Sequence, residues 1–166
     1  MKKFIKKHPD LTLAIVKILF LAIALLVSFG MVLGISAPIN DYMNPGVKYH
    51  DNVIYARIGY DLILRDVVVY TNPEGEECIG RVVGMPGDTI STTVNGNIFQ
   101  NNNLVYEENI KYTTNRSKEV EITLNEDEYF VINDDRSQNF DSRTYGAIKK
   151  SDIKGKVILV MRRYGI

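Results

Sequence analysis

Residues 18–35, ILFLAIALLVSFGMVLGI, run for eighteen positions without a charged side chain. A helix of that length spans about 27 Å, close to the roughly 30 Å hydrocarbon core of a bilayer. Extending it back to Leu11 takes in Lys17, whose stem can carry its ammonium to the interface. The pattern predicts a transmembrane helix over residues 11–35. Ahead of it, residues 1–17 set Lys2, Lys3, Lys6, Lys7 and Lys17 against Asp10 alone, a net +4. The positive-inside rule then makes 1–10 a cytoplasmic basic tail and puts 38–166 on the extracellular side of the cell membrane. A cleaved signal peptide has the same charge order, but its apolar region runs only about 7–15 residues to a small-x-small site. Ile35-Ser36-Ala37-Pro38 is a poor site of that kind, so the expectation is an uncleaved single-pass anchor.

The whole chain is neutral, with 20 Lys and Arg against 20 Asp and Glu, which leaves −4 on the part beyond residue 17. A neutral chain with an acidic body argues against nucleic acid as a partner. A single Cys and two His exclude a disulfide framework and argue against a metal centre. No cofactor motif is present either.

From Pro38 onward, short runs rich in Val, Ile, Thr, Tyr and Phe alternate with Gly, Asn and Asp. Residues 52–57, 66–70, 78–84, 89–94, 97–100, 119–124, 128–133 and 156–162 read as strands. Asn95-Gly96 marks a hairpin, Asn101–Asn103 a further turn, and Tyr112–Lys118 a polar loop. No stretch after residue 36 keeps a helical apolar period over three turns. The fold class expected is therefore all-β, with coiled antiparallel sheets that leave few edges exposed, behind one N-terminal helix.

Three segments carry more than fold. They are Tyr42-Met43-Asn44-Pro45 with Asp51, Arg81-Val82-Val83-Gly84-Met85-Pro86-Gly87-Asp88, and Asn133-Asp134-Asp135-Arg136 followed by Asp141-Ser142-Arg143 and Gly146. Singly, each is ordinary turn or ion-pair chemistry. In this order, behind one anchor, they resemble the boxes of the type I signal peptidases, most closely the small Gram-positive type with one span. Asp66-Val67-Val68-Val69 resembles a further box, with Arg65 where the family has glycine.

The resemblance implies a Ser-Lys dyad, in which a lysine kept neutral by burial takes the proton of the attacking serine. The nucleophile position is Tyr42 and the general-base position is Gly80. The oxyanion-assisting hydroxyl falls on Asn40, and the serine that orients the lysine falls on Asn139. A phenol is a poor nucleophile without a base, and glycine supplies none. The supporting set is kept: Asp88, Asp134, Asp141, Ser142 and Arg143 match, and the resemblance implies pairing of Arg81 and Arg143 with Asp134 and Asp141. Asn133 and Asp135 replace a family glycine and asparagine.

A cleft built from Asp41, Tyr42, Met43, Pro45, Gly80 and Arg81 is expected to take an extended polypeptide. Glycine at 80 should widen that cleft, and Tyr42 should fill or cover it. The resulting expectation is a pseudoenzyme that binds polypeptide without cutting it. By resemblance to dyad-less relatives of streptococci, its partners would be pilin subunits and a class C sortase, with a chaperone-like role in pilus assembly. Two readings compete with it. One is an active signal peptidase with a displaced group drawn from Ser36, Asp41, Lys48 or Cys78, the last on the same strand face as Gly80. Paired carboxylates, Asp41 with Asp141, are a variant of it. The other reading is a purely structural scaffold.

Overall fold

A computed structural model describes residues 9–108, 110–112 and 116–162, in two units divided between Leu33 and Gly34. Lys2, Lys3, Lys6, Lys7 and His8, and residues 113–115 of the expected polar loop, lie outside the described residues.

The first unit is helix α1, Pro9–Val32. Proline suits the first position because the N–H it lacks would have no intrahelical partner. The large apolar side chains from Leu11 to Val32 are exposed, so the helix lacks the polar face of a helix lying on a globular core. Its 24 residues are long and apolar enough to cross a membrane, at about 36 Å. The expected span to Ile35 is corrected. The helix stops at Val32, and Leu33–Ser36 forms strand β1. Glycine is required within β1: a Cβ at Gly34 would stand 2.2 Å from Tyr55 Cζ, so only glycine lets this segment lie against the Tyr55 ring.

The second unit carries two sheets. The larger has the order β1-β2-β11-β3-β4-β9-β10, where β2 is Asn52–Ala56, β3 Val67–Thr71, β4 Glu77–Gly84, β9 Glu128–Ile132, β10 Ile148–Lys149 and β11 Ile153–Met161. The smaller runs β7-β6-β5-β8, with β5 Thr89–Thr92, β6 Ile98–Gln100, β7 Asn103–Leu104 and β8 Val120–Thr123. Every strand expected from residue 52 onward is found, within three residues at each end. The Asn95-Gly96 turn joins β5 to β6, with Gly96 at φ 81°, and Asn101 and Asn102 take positive φ between β6 and β7. One α-helical turn, α2 (Ser142–Tyr145), and one 3-10 turn, Lys150–Asp152, are added.

Side-chain alternation along the shared strands sorts the core. Val68, Tyr70, Val82, Tyr129 and Val131 join one cluster. Their neighbours point the other way: Val69 and Ile79 pack with Met43, Val47, Val53 and Tyr55, while Val83, Phe130 and Ile132 pack with Ile90, Ile98 and Leu124. The larger sheet is therefore buried on both faces over β3, β4 and β9.

Candidate functional site

The site is built where β4, β9 and the chain before β2 come together. Arg81, on β4, points away from Gly80 and closes a two-bond fork on Asp134, Nε to Oδ1 at 2.7 Å and Nη2 to Oδ2 at 2.6 Å. Asp134 is fully buried, so the pair is shielded from water on the carboxylate side. The turn carrying Tyr42 rests directly on this fork. At Gly46 a Cβ would meet Asp134 Oδ2 at 2.3 Å and Arg81 Nη2 at 3.1 Å, which requires the glycine. The Tyr42 amide donates to Asn40 Oδ1 at 3.1 Å, and the Tyr42 carbonyl accepts from the Asp135 amide at 2.9 Å. Met43 and Val47 anchor the turn in the core.

Asp141 organises the following segment. Its carboxylate caps α2 through the Arg143 amide at 3.0 Å, accepts the Asn133 amide at 2.9 Å and pairs with the Arg143 guanidinium at 2.6 Å. Arg143 donates further to Ser117 Oγ and to the carbonyls of Arg136 and Gln138. Ser142 Oγ accepts the Val131 amide at 3.0 Å. Asp88 holds the Pro86-Gly87-Asp88 turn by accepting from the Met85 amide and from Gln100 and Asn101. The pairs Arg81–Asp134 and Arg143–Asp141 are thus both present in the structure. Sequence reasoning missed a third, Arg136 with Glu107, which is fully buried yet leaves Arg136 Nε and Glu107 Oε1 without partners among the described residues. Only the fold brings residue 107 to it.

The extra carboxylate, Asp135, also finds a cation and a hydroxyl. Burial pushes its pKa up, but Lys111 Nζ at 2.6 Å and the Ser137 hydroxyl and amide outweigh burial and leave it below the ordinary aspartate range. A carboxylate with a lowered folded-state pKa contributes stability above its unfolded value, near pH 4, and loses it as pH falls through the lower folded value. Asp135→Asn is therefore expected to flatten the loss of stability as pH falls below about 4, measured by acid-dependent urea unfolding, and to cost stability at pH 7. Identical slopes in the two proteins would contradict this.

Beside the turn lies a groove of about 310 Å³, lined by Ile39, Asn40, Tyr42, Met43, Asn133 and Phe140 on the apolar and amide side. Glu74, Glu76, Glu77, Cys78 and Tyr145 line the opposite, more polar part. Tyr42 stacks on Phe140 with ring centroids 5.7 Å apart and planes 9° off parallel. Of the residues expected in the cleft, Tyr42 and Met43 line the groove, whereas Asp41, Pro45, Gly80 and Arg81 do not. Asp41 accepts the Tyr49 amide and Arg81 is held on Asp134.

Gly80 requires the largest correction. It does not widen a cleft, because a Cβ there would stand 2.5 Å from Val131 Cγ1 and 3.1 Å from Tyr70 Cε1. The space belongs to the core. Burial pushes the Tyr70 phenol well above its ordinary pKa, the neighbouring Cys78 and Asp141 add to this, and the hydroxyl forms no hydrogen bond among the described residues.

Nor do the displaced groups make a dyad. Burial, then the charge of Glu76, pushes the Cys78 thiol up to about 11, so it stays protonated at neutral pH. Ser36 is 7 % exposed and donates to Glu77 Oε1 at 2.6 Å, while Lys154 Nζ lies 2.7 Å from Oε2. Burial raises the Glu77 pKa, but those two partners outweigh it, and a carboxylate held low is a weak base. Lys48 is exposed on its turn. Asp41 and Asp141 serve different partners. Asn139 pins residues 116–118 through the Lys118 amide and the Arg116 carbonyl. Among the described residues, no group of three His, Cys, Asp or Glu is placed to hold a metal ion.

A family model described as "Signal peptidase, peptidase S26" matches residues 12–162. The chain belongs to the signal peptidase family. It is 33% identical over 125 residues to signal peptidase I P of Bacillus subtilis subsp. natto, covering 69% of this chain and 62% of that protein. To signal peptidase I V of Bacillus subtilis strain 168 it is 29% identical over 105 residues, 55% of this chain and 62% of the relative. It spans about three fifths of the length of these relatives. The crystal structure of a signal peptidase I from Enterococcus faecalis V583 shares the fold, with TM-score 0.52 and 22% identity over 60% of this chain and 98% of that one. As a signal peptidase relative, the chain has the family's mostly β fold with an apolar helix at its start that is long enough to anchor it in a membrane. Within that fold the groove lies against Tyr42, while Gly80 is sealed inside the core.

Proposed function

We propose that this member of the signal peptidase family is a pseudoenzyme that binds polypeptide in the groove beside Tyr42 without cleaving it. The observation that carries the reading is the base position. Gly80 offers no proton acceptor, and Val131 and Tyr70 occupy the space a side chain would need. An extended chain is the ligand that suits a groove beside a β sheet, since strands offer backbone bonds along their length and pockets for alternate side chains. By resemblance, the polypeptide is a pilin subunit presented to a class C sortase, so the chain acts as a chaperone-like factor in pilus assembly. On this reading α1 spans the cell membrane with its N-terminus inside and the β unit outside.

The test uses the full chain in phospholipid-containing micelles, a signal-peptide-bearing preprotein and pH 6–10. No cleavage is expected at any pH, by mass spectrometry. Cleavage abolished by Ser36→Ala or Cys78→Ala would instead favour an active peptidase with a displaced nucleophile. The scaffold reading is separated by Phe140→Ser, an exposed groove residue. Pilin binding unaffected by that change would count against use of the groove.

A further inference from the structure

The groove is electrically one-sided. Three carboxylates line it, Glu74, Glu76 and Glu77, and no lysine, arginine or histidine does. Glu77 opens β4, and the other two sit on the β3–β4 turn, where Asn72 Oδ1 accepts the Glu74 and Glu76 amides at 3.0 and 2.8 Å and fixes the turn. Glu77 is neutralised by Lys154 at 2.7 Å. The other two are not. Glu74 meets the Tyr145 hydroxyl at 3.4 Å and Glu76 meets the Asn72 amide at 3.2 Å, and neither makes an ion pair among the described residues. Both are exposed. Their charge is felt along the wall, where it adds to burial in raising the Cys78 thiol.

The same groove carries an apolar surface that nothing in the fold covers. Ile39 is 69% and Phe140 56% exposed, and the Tyr42–Phe140 stack continues this surface. An acidic turn beside an open aromatic platform describes a particular occupant. A small cation would not use the aromatic surface, and a neutral apolar segment would leave the carboxylates unpaired.

We propose that the groove selects an extended cationic polypeptide segment, with a lysine or arginine against Glu74 and Glu76 and a neighbouring apolar side chain on Ile39 and the Tyr42–Phe140 stack. An extended strand turns successive side chains to opposite sides, so adjacent basic and apolar residues can reach different parts of one lining. The inference rests on the reading of the groove as a polypeptide site and adds the chemistry of its ligand.

The test measures fluorescence anisotropy of three labelled decapeptides of glycine and serine against the full chain in neutral maltoside micelles. Each carries one phenylalanine flanked by two lysines, two glutamines or two glutamates. Two partly screened ion pairs predict a preference of about fivefold for the lysine peptide over the glutamine peptide at low salt. The preference should shrink at 1 M salt, where the screening length is about 3 Å. It should vanish in Glu74→Gln/Glu76→Gln and turn toward the glutamate peptide in Glu74→Lys/Glu76→Lys, since both positions are exposed and tolerate change. Equal binding of all three peptides, lost in Phe140→Ser, would overturn the cationic selectivity and leave the polypeptide site standing. A lysine preference that survives Glu74→Gln/Glu76→Gln would also overturn it, by locating the selectivity elsewhere. Absence of binding by every peptide would overturn both the selectivity and the groove as a polypeptide site.

Discussion

Asp141→Ala is expected to lower the unfolding free energy of the full chain by about 4 kcal/mol, the range found when one partner of a buried ion pair is removed. Asp141 and Arg143 side chains are each 1% exposed, so water cannot replace the lost partner. Three further losses follow from one carboxylate: the cap of α2, the acceptor for the Asn133 amide and the anchor of a guanidinium that also ties down Ser117 and the Arg136 and Gln138 carbonyls. Circular dichroism should show a midpoint lower by roughly 10 °C or more for a unit of this size. Arg143→Lys should fall between the two proteins, because lysine keeps the charge but not the planar fork. A midpoint within about 2 °C of the parent for Asp141→Ala would refute the account, since so small a shift corresponds to less than 1 kcal/mol.

Placing serine and lysine at the positions the resemblance gives to the dyad, Tyr42→Ser with Gly80→Lys, is expected to yield no cleavage and to cost about 3 kcal/mol or more. The new Cβ at 80 falls 2.5 Å from Val131 Cγ1, and the rest of the chain must pass the Tyr70 ring. Overpacking alone costs about 1–3 kcal/mol, and an ammonium without a partner in the apolar cluster adds to it. Adding Val131→Ala should return part of the lost stability, with a coupling above about 0.5 kcal/mol between positions 80 and 131 in a double-mutant cycle. Cleavage by the Tyr42→Ser/Gly80→Lys protein, or independent effects at 80 and 131, would mean that the slot opens freely.

The strands were legible because alternation is strong where neighbouring residues enter different clusters, as Val68 and Val69 do. The Asn95-Gly96 hairpin was legible for an equally local reason, whereas the Arg81–Asp134 and Arg143–Asp141 pairs were legible only through the resemblance of their boxes, since 53 residues separate Arg81 from Asp134. Elements missed were short or masked by composition. β1 continues an apolar run that hydropathy cannot divide into helix end and strand, and β7 and β10 have two residues each. Pairing across strands was the larger blind spot. Gly80 faces Val68 in the β3–β4 ladder, and Val131 reaches it from β9, so the fate of position 80 depended on three strands at once. The groove's acidic turn stood in the sequence as Glu74 to Glu77, but nothing local tied it to Tyr42 or Phe140.

Strands β4 and β9 act as a party wall. Val82 and Val131 face one cluster, while their immediate neighbours Val83 and Ile132 face the cluster that covers the smaller sheet. Neither compartment can melt without stripping one side of the same two strands, which binds both sheets into one cooperative folding unit. The groove wall includes Cys78 and Ile79 from β4 and Asn133 at the end of β9. An occupant there touches Cys78, which packs on the cluster of Val82, and Ile79, which belongs to the cluster of Met43, so its binding energy reaches both faces of β4 as well as the loops around Tyr42.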